Sequence, residues 1–207
     1  ALLSEIWEVK LEPDIVSYSA AVSACGNGWQ WQRALLLLAE MVEAKVEPDA
    51  ISFNAGVSAC QKGSVWRNAL WLLREIREVL LEPDIVGYSA SISACEQDRQ
   101  WQQALLLLFE SMEKQLEPNE LTYSAGIGVC GASGQWQQSL SLLSEMHEAR
   151  LSSAFGHSAG ISACGDAQLW SQAISLLREA ETLKLELDVV CYSAGVSACE
   201  KGRQWQH

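Results

Sequence analysis

From Ile85, the stretch "IVGYSASISAC" sets Ile85, Tyr88, Ile92 and Cys95 apart by 3, 4 and 3 residues, which makes one stripe on an α-helix and not the alternation of a strand. A polar break, "EQDRQ", follows. Then "WQQALLLLFESMEK" puts Trp101, Ala104, Leu105, Leu108 and Met112 on one face of a second helix. "QLEPN" closes it, because Pro118 lacks the amide hydrogen a helix needs and pushes its predecessor toward extended backbone. The pattern predicts a helical hairpin.

The hairpin recurs along the whole chain. Cys25, Cys60, Cys95, Cys130, Cys164 and Cys199 are separated by 35, 35, 35, 34 and 35 residues. Trp31, Trp66, Trp101, Trp136, Trp170 and Trp205 keep the same step, as do Pro13, Pro48, Pro83 and Pro118. A fixed period of this length predicts an all-α solenoid of tandem helix-turn-helix repeats, each burying its apolar face against the next. The tryptophans read as packing anchors between hairpins and not as a platform for stacked bases. Equivalent residues on stacked helices lie roughly 9–10 Å apart, and a disulfide needs Cα atoms within about 7 Å. The cysteine column is therefore expected to supply small buried side chains without cross-links, and Cys191 falls off the column.

Composition narrows the picture. In 207 residues, 49% apolar content is enough for a substantial core and excludes a disordered chain. The longest aliphatic run, "ALLLLA" at Ala34–Ala39, is far shorter than the roughly 18–20 residues of a membrane span, so a soluble protein with no membrane partner is expected. A net charge of −12, from 14 basic and 26 acidic residues, argues against strong nonspecific binding to nucleic acid or anionic lipid. Seven cysteines without a Cys-x-x-Cys pair point to reduced, structural thiols. The first residues, "ALLSEIWEVKLEPD", read as the end of a helix and not as a leader. The chain is thus expected to be a piece of a longer array with repeats continuing on both sides.

Units of 35 residues joined by "EPDIVSYSAAVSAC", with a second helix of the type "ALLLLAEM", resemble the pentatricopeptide repeat family, in the P-type-like tandem style abundant in algal and dinoflagellate proteins. The resemblance covers the whole chain as one array: residues 1–14 end a repeat, 15–49, 50–84, 85–119, 120–153 and 154–188 are full repeats, and 189–207 begin another. The tetratricopeptide repeat is the rival of similar period. The Pro-Asp junction, the 35-residue step and the aromatic fourth in each unit (Tyr18, Phe53, Tyr88, Tyr123, Tyr192) favour the pentatricopeptide reading.

The resemblance implies a right-handed superhelix whose first helices line a concave groove for single-stranded RNA, one base per repeat. In this family the fifth residue of a unit and its last residue choose the base, and an apolar second residue wedges between neighbouring bases. Carried over, Ser19 with Asp49 favours guanine, Asn54 with Asp84 uracil, and Ser89 with Asn119 adenine. Ser124 closes with either Ser153 or Ala154, because one residue is missing between Leu151 and His157, and it receives no base. Ser158 with Asp188 is again guanine-like, and Ser193 has no partner within the chain. The wedge places hold Val16, Ile51, Val86, Leu121, Phe155 and Val190. Serine also lets helices approach closely, so packing stands as the alternative reading of these serines.

The charge pattern departs from the family. Phosphate contacts need Lys or Arg, and the lysine many members carry after the cysteine of the first helix is matched here by Lys62 and Lys201 alone. Asn27, Gln97, Ala132 and Asp166 stand at the other equivalent places. Glu40, Glu75, Glu110, Glu145 and Glu179 recur in the second helix, which in the family faces away from the groove. The expected function is a sequence-selective RNA-binding adaptor for organellar transcripts, in mitochondrion or chloroplast, acting in RNA processing, stability or translation, possible protein partners included. The alternative is a protein-interaction scaffold whose RNA groove has decayed. His147, His157 and His207 have no ligand partner at helical spacing, and no nucleophile elbow or phosphate loop is present. No metal, cofactor, small-molecule substrate or catalytic role is expected.

Overall fold

A computed structural model describes residues 14–201 apart from 80, 152 and 188. The partial repeat before Asp14, Trp205, His207 and the expected reader Asp188 lie outside the described residues. The described residues form helices and no strand. The first helices of the hairpins are α1 (Ile15–Asn27), α3 (Ala50–Lys62), α5 (Ile85–Ala94), α7 (Glu120–Ala132), α9 (Ala154–Asp166) and α11 (Val189–Lys201). The second helices are α2 (Trp31–Glu43), α4 (Trp66–Glu78), α6 (Trp101–Glu113), α8 (Trp136–Glu148) and α10 (Trp170–Thr182).

Two compact units are present, one ending at Ala94 and one beginning at Cys95. In the first, α1 packs on α2 and α3, and α3 on α4 and α5. In the second, α7 packs on α6, α8 and α9, and α9 on α10 and α11. Each unit is thus a run of α-solenoid in which a first helix touches its own partner and the next first helix. The apolar stripes supply the core: Ala69, Leu72, Leu73 and Ile76 are buried along α4, and Leu142, Leu143 and Met146 along α8. First helices approach through small side chains. A methyl group built on Gly131 of α7 would stand 2.9 Å from the Cβ of Ala163 of α9, closer than carbon atoms pack.

Each hairpin turn has one form. Trp29, Ser64, Arg99 and Gln168 adopt left-handed backbone at φ 60, 55, 52 and 62°, a conformation that costs a non-glycine residue roughly 1–2 kcal/mol. Hydrogen bonds offset the strain. The amides of Gln30, Val65, Gln100, Gln135 and Leu169 donate to the carbonyls of Cys25, Cys60, Cys95, Cys130 and Cys164 at 2.8–3.0 Å, the six-to-one closure that satisfies the last carbonyls of a helix. α5 spans 10 residues where the other first helices span 13, and Cys95 lies just past its end. Asp98 stands there at the place where Gly28, Gly63, Ser133 and Ala167 cap the other first helices, and an acid at the negative end of the helix dipole opposes a further turn.

The repeated side chains sit as packing elements. Trp31 lies against Gly63 of the following hairpin, so close that a Cβ at Gly63 would meet its ring at 2.3 Å. Cys60, Cys95, Cys130 and Cys164 are completely buried and reduced. Burial pushes the thiols of Cys60 and Cys95 up to about 12 and those of Cys130 and Cys164 up to about 11. Asp98 adds to the shift at Cys95. At pH 8 roughly one in 10³ to 10⁴ of these groups is a thiolate, the form that reacts. Alkylation of the native chain at pH 8, read by mass spectrometry, is expected to modify the half-buried Cys25 and Cys199 and to spare these four; equal modification of all six would contradict this packing.

Candidate functional site

The expected reader residues gather at the N-termini of the first helices, and the reason is local. A first helix begins right after the Pro-Asp junction, where its leading amides lack intrahelical acceptors. Asp14, Asp49, Asn119 and Ser153 are the N-caps of α1, α3, α7 and α9. Asp14 Oδ1 accepts from the backbone N–H and the hydroxyl of Ser17, at 2.9 and 2.7 Å. These bonds hold its carboxyl below the usual carboxylate range. Ser153 Oγ accepts from the amides of Phe155 and Gly156. Because α9 starts at Ala154 with Ser153 as its cap, Ser153 occupies the place that Asp49 and Asn119 hold in their hairpins.

One residue past each helix start stands an exposed apolar side chain. Val16, Ile51, Val86, Leu121, Phe155 and Val190 are 52–68% exposed, while the neighbouring stripe residues are buried. Within each unit one recess lies between two of these side chains. In the first unit Val16 and Ile51 flank a recess that also contains Ser19, Ser23 and Asp49. In the second, Leu121 and Phe155 flank one that contains Asn119, Glu120, Ser124 and Ser153. Neither recess is lined by a lysine or arginine.

The fifth and closing residues are linked in different ways in the first two repeats, and the third residue of the following hairpin differs with them. Ser19 Oγ lies 2.7 Å from Ser52 Oγ, and Ser52 donates to Asp49 Oδ1 at 2.7 Å. Ser19 Oγ also donates to the carbonyl of Ile15 at 2.6 Å, so Ser19, Ser52 and Asp49 form one hydrogen-bonded group. In the next repeat the third residue is Gly87, and Asn54 Nδ2 reaches Asp84 Oδ2 directly at 2.9 Å. A Cβ on Gly87 would stand 2.9 Å from Asn54 Oδ1, so glycine is what leaves room for the longer amide. Asp84 Oδ1 meanwhile accepts from the amides of Val86 and Gly87. Gly156 occupies the same place beside Ser124, whose buried hydroxyl has no hydrogen-bond partner among the described residues.

The remaining expected residues are placed as follows. Ser89 is buried in α5 and donates to the carbonyl of Ile85. Ser158 is half-buried in α9, and the hydroxyl of Ser193 donates to Val190 O at 2.9 Å. Lys62 Nζ donates to Asn27 Oδ1 at 2.6 Å, and Lys201 forms an ion pair with Asp166 at 2.7 Å. Each lysine thus meets the residue at its own place in the preceding hairpin, and the charge of Lys201 is offset by a carboxylate. The structure also assembles a group that spacing along one helix could not reveal. His147 of α8, His157 of α9 and Glu179 of α10 each place one ligand atom within 4.8 Å of the others.

A model described as pentatricopeptide repeat domain matches residues 1–62 and 71–133, and a model of the single repeat matches residues 121–151. Among curated proteins no match is found. Solved structures resemble the chain in fold. The pentatricopeptide repeat protein PPR10 from maize is 23% identical with a TM-score of 0.73 over 97% of this chain and 29% of its own. PPR10 in complex with an 18-nt psaJ RNA element gives 17% and 0.81, over 99% of this chain and 30% of its own. The repeat domain of Arabidopsis thaliana protein-only RNase P 1, in complex with tRNA, gives 12% and 0.72, over 90% and 95%. The chain spans less than a third of the length of the two PPR10 structures. With more than half of its residues matched by the domain model and its helical hairpins in register with the sequence period, the chain belongs to the pentatricopeptide repeat family.

Proposed function

We propose that the chain binds single-stranded RNA along the row of first-helix N-termini, one base in each recess. The observation that carries this reading is the exposed apolar side chain that each hairpin presents at the same place, with a polar recess between Val16 and Ile51 in the first unit and between Leu121 and Phe155 in the second. Exposed apolar surface in a regular row costs free energy in water unless a ligand covers it, and a base offers apolar faces to the wedges and a polar edge to the floor. In the first two repeats the polar groups fit the expected base. The Ser19 hydroxyl, its proton held by the carbonyl of Ile15, can accept from the N–H donors of guanine, and the Asn54 amide, fixed by Asp84, suits the donor and acceptors of uracil. The psaJ RNA and tRNA complexes of the similar structures support RNA as the ligand class. Organellar transcripts, as the family resemblance implies, belong to the same proposal.

Reading from the first hairpin to the fifth, the preferred element is G-U-A-N-G. Titration of a GUANG-containing RNA against a scrambled one is expected to show tighter binding of the former. Its salt slope should be no steeper than about −1.4, from about −0.7 per phosphate contact and two candidate lysines. Equal affinities, or no binding at low salt, would remove this reading and leave the protein-interaction scaffold.

A further inference from the structure

His157 stands where the other hairpins place the aromatic residues Tyr18, Phe53, Tyr88, Tyr123 and Tyr192. It is 1% exposed, and its Nδ1 lies 2.9 Å from the carbonyl of Ser153. A carbonyl only accepts, so Nδ1 carries the proton and Nε2 is a bare lone pair. That Nε2 is buried and has no hydrogen-bond partner among the described residues. An imidazole oriented through one nitrogen with the other bare is the arrangement that metal-binding histidines adopt.

The neighbours complete the set. The ring of His147 meets that of His157 edge-on, with centroids 6.0 Å apart and planes at 79°. Nδ1 of His147 lies 3.0 Å from Oε1 of Glu179. Ligands bound tetrahedrally to zinc at about 2.0–2.1 Å are about 3.3 Å from one another. The His147–Glu179 separation is already near that value, and 4.8 Å bounds the rest. The two half-exposed side chains are the ones that must turn, while His157 stays fixed by its backbone bond. Two imidazoles and one carboxylate suit Zn²⁺ and its first-row neighbours, whereas Ca²⁺ and Mg²⁺ require oxygen. Cysteines do not compete from the core column, since their thiols resist losing the proton that binding requires.

We propose that His147, His157 and Glu179 form a site for a divalent first-row metal ion, Zn²⁺ in the first instance. Its ligands come from the second helix of one hairpin and both helices of the next, so the ion would clasp consecutive repeats, independently of RNA. Calorimetric titration of Zn²⁺ into the metal-stripped 207-residue chain under reducing conditions is expected to show one saturable site and a rise in Tm. His157→Tyr restores the aromatic of the other hairpins and should keep the fold, judged by circular dichroism, while abolishing the site. H147Q and E179Q should each weaken binding at least tenfold. Co²⁺ should give tetrahedral d–d bands without thiolate charge-transfer absorption. Unchanged binding in H147Q and E179Q, no saturable site, or a thiolate charge-transfer band would each overturn the assignment. Should His157→Tyr lose its fold, the two glutamine variants and the cobalt spectrum still decide.

Discussion

The double exchange N54S/G87S is expected to switch the second position of the bound RNA from uracil to guanine. Together the two changes rebuild in the second repeat the floor of the first: a serine fifth, a serine third in the following hairpin, and the aspartate already present as Asp84. Once Asn54 is shortened, the contact that excludes a Cβ at residue 87 is gone, and the next neighbour, Leu73 Cδ2, stands at 3.4 Å. Discrimination of one base from another through a well-placed polar floor is worth about 1–3 kcal/mol, so the preference should invert by on the order of tenfold or more in competition binding. The single variants separate the parts. G87S alone drives a Cβ against Asn54 and should weaken uracil binding without creating guanine binding. N54S alone leaves a gap where the amide met Asp84. A double variant that still prefers uracil would show that the third residue does not set the reader's geometry.

Stability should respond most strongly where first helices touch. Gly131→Leu is expected to destabilise the second unit by about 1–3 kcal/mol in urea denaturation, the range found when a packed contact is overfilled. The Cβ alone would meet Ala163 Cβ at 2.9 Å and Ala163 Cα at 3.6 Å, and neither can swing aside as a side-chain tip could. Gly128→Ala, three residues away on the same helix, is the control. Its nearest neighbour is the Glu96 carboxylate at 3.6 Å, so it should be neutral or gain up to about 1 kcal/mol from helix propensity. In a solenoid each interface contributes separately. The loss in Gly131→Leu should therefore appear as a splitting of the unfolding transition, and equal effects of the two substitutions would refute the close α7–α9 contact as its cause.

The hairpins were legible because their signals are periodic: the stripe from Ile85, the proline at each junction and the tryptophan opening each second helix all mark local events. The left-handed turns were not, since Trp29, Arg99 and Gln168 give no glycine or asparagine signal and the conformation is enforced by the closing amide bond to each cysteine carbonyl. The early end of α5 was equally hidden, because "SISAC" is as good a helix as its counterparts and Asp98 in place of a small capping residue is the local difference beyond it. At the site, the wedge row followed from a repeated apolar letter, but the third residue of each hairpin, Ser52 or Gly87, lies on no stripe and gains meaning only across two repeats. The ambiguity between Ser153 and Ala154 yields to cap geometry. The group of His147, His157 and Glu179 comes from three helices, with sequence separations that no single helix could join.

The capping role of the closing residues has a consequence for how such an array can change over time. The same side chain that would face a base also holds the first turn of the next helix, where Ser, Thr, Asp and Asn stabilise by about 1 kcal/mol and most other residues do not. A mutation there is tested twice, once by the ligand and once by the fold. The vocabulary open to that place is thus restricted to a few short polar letters, of which Asp49, Asn119 and Ser153 already use three. New specificities would then arise sooner by exchange among these capping residues, or by inheritance of a whole hairpin, than by free drift.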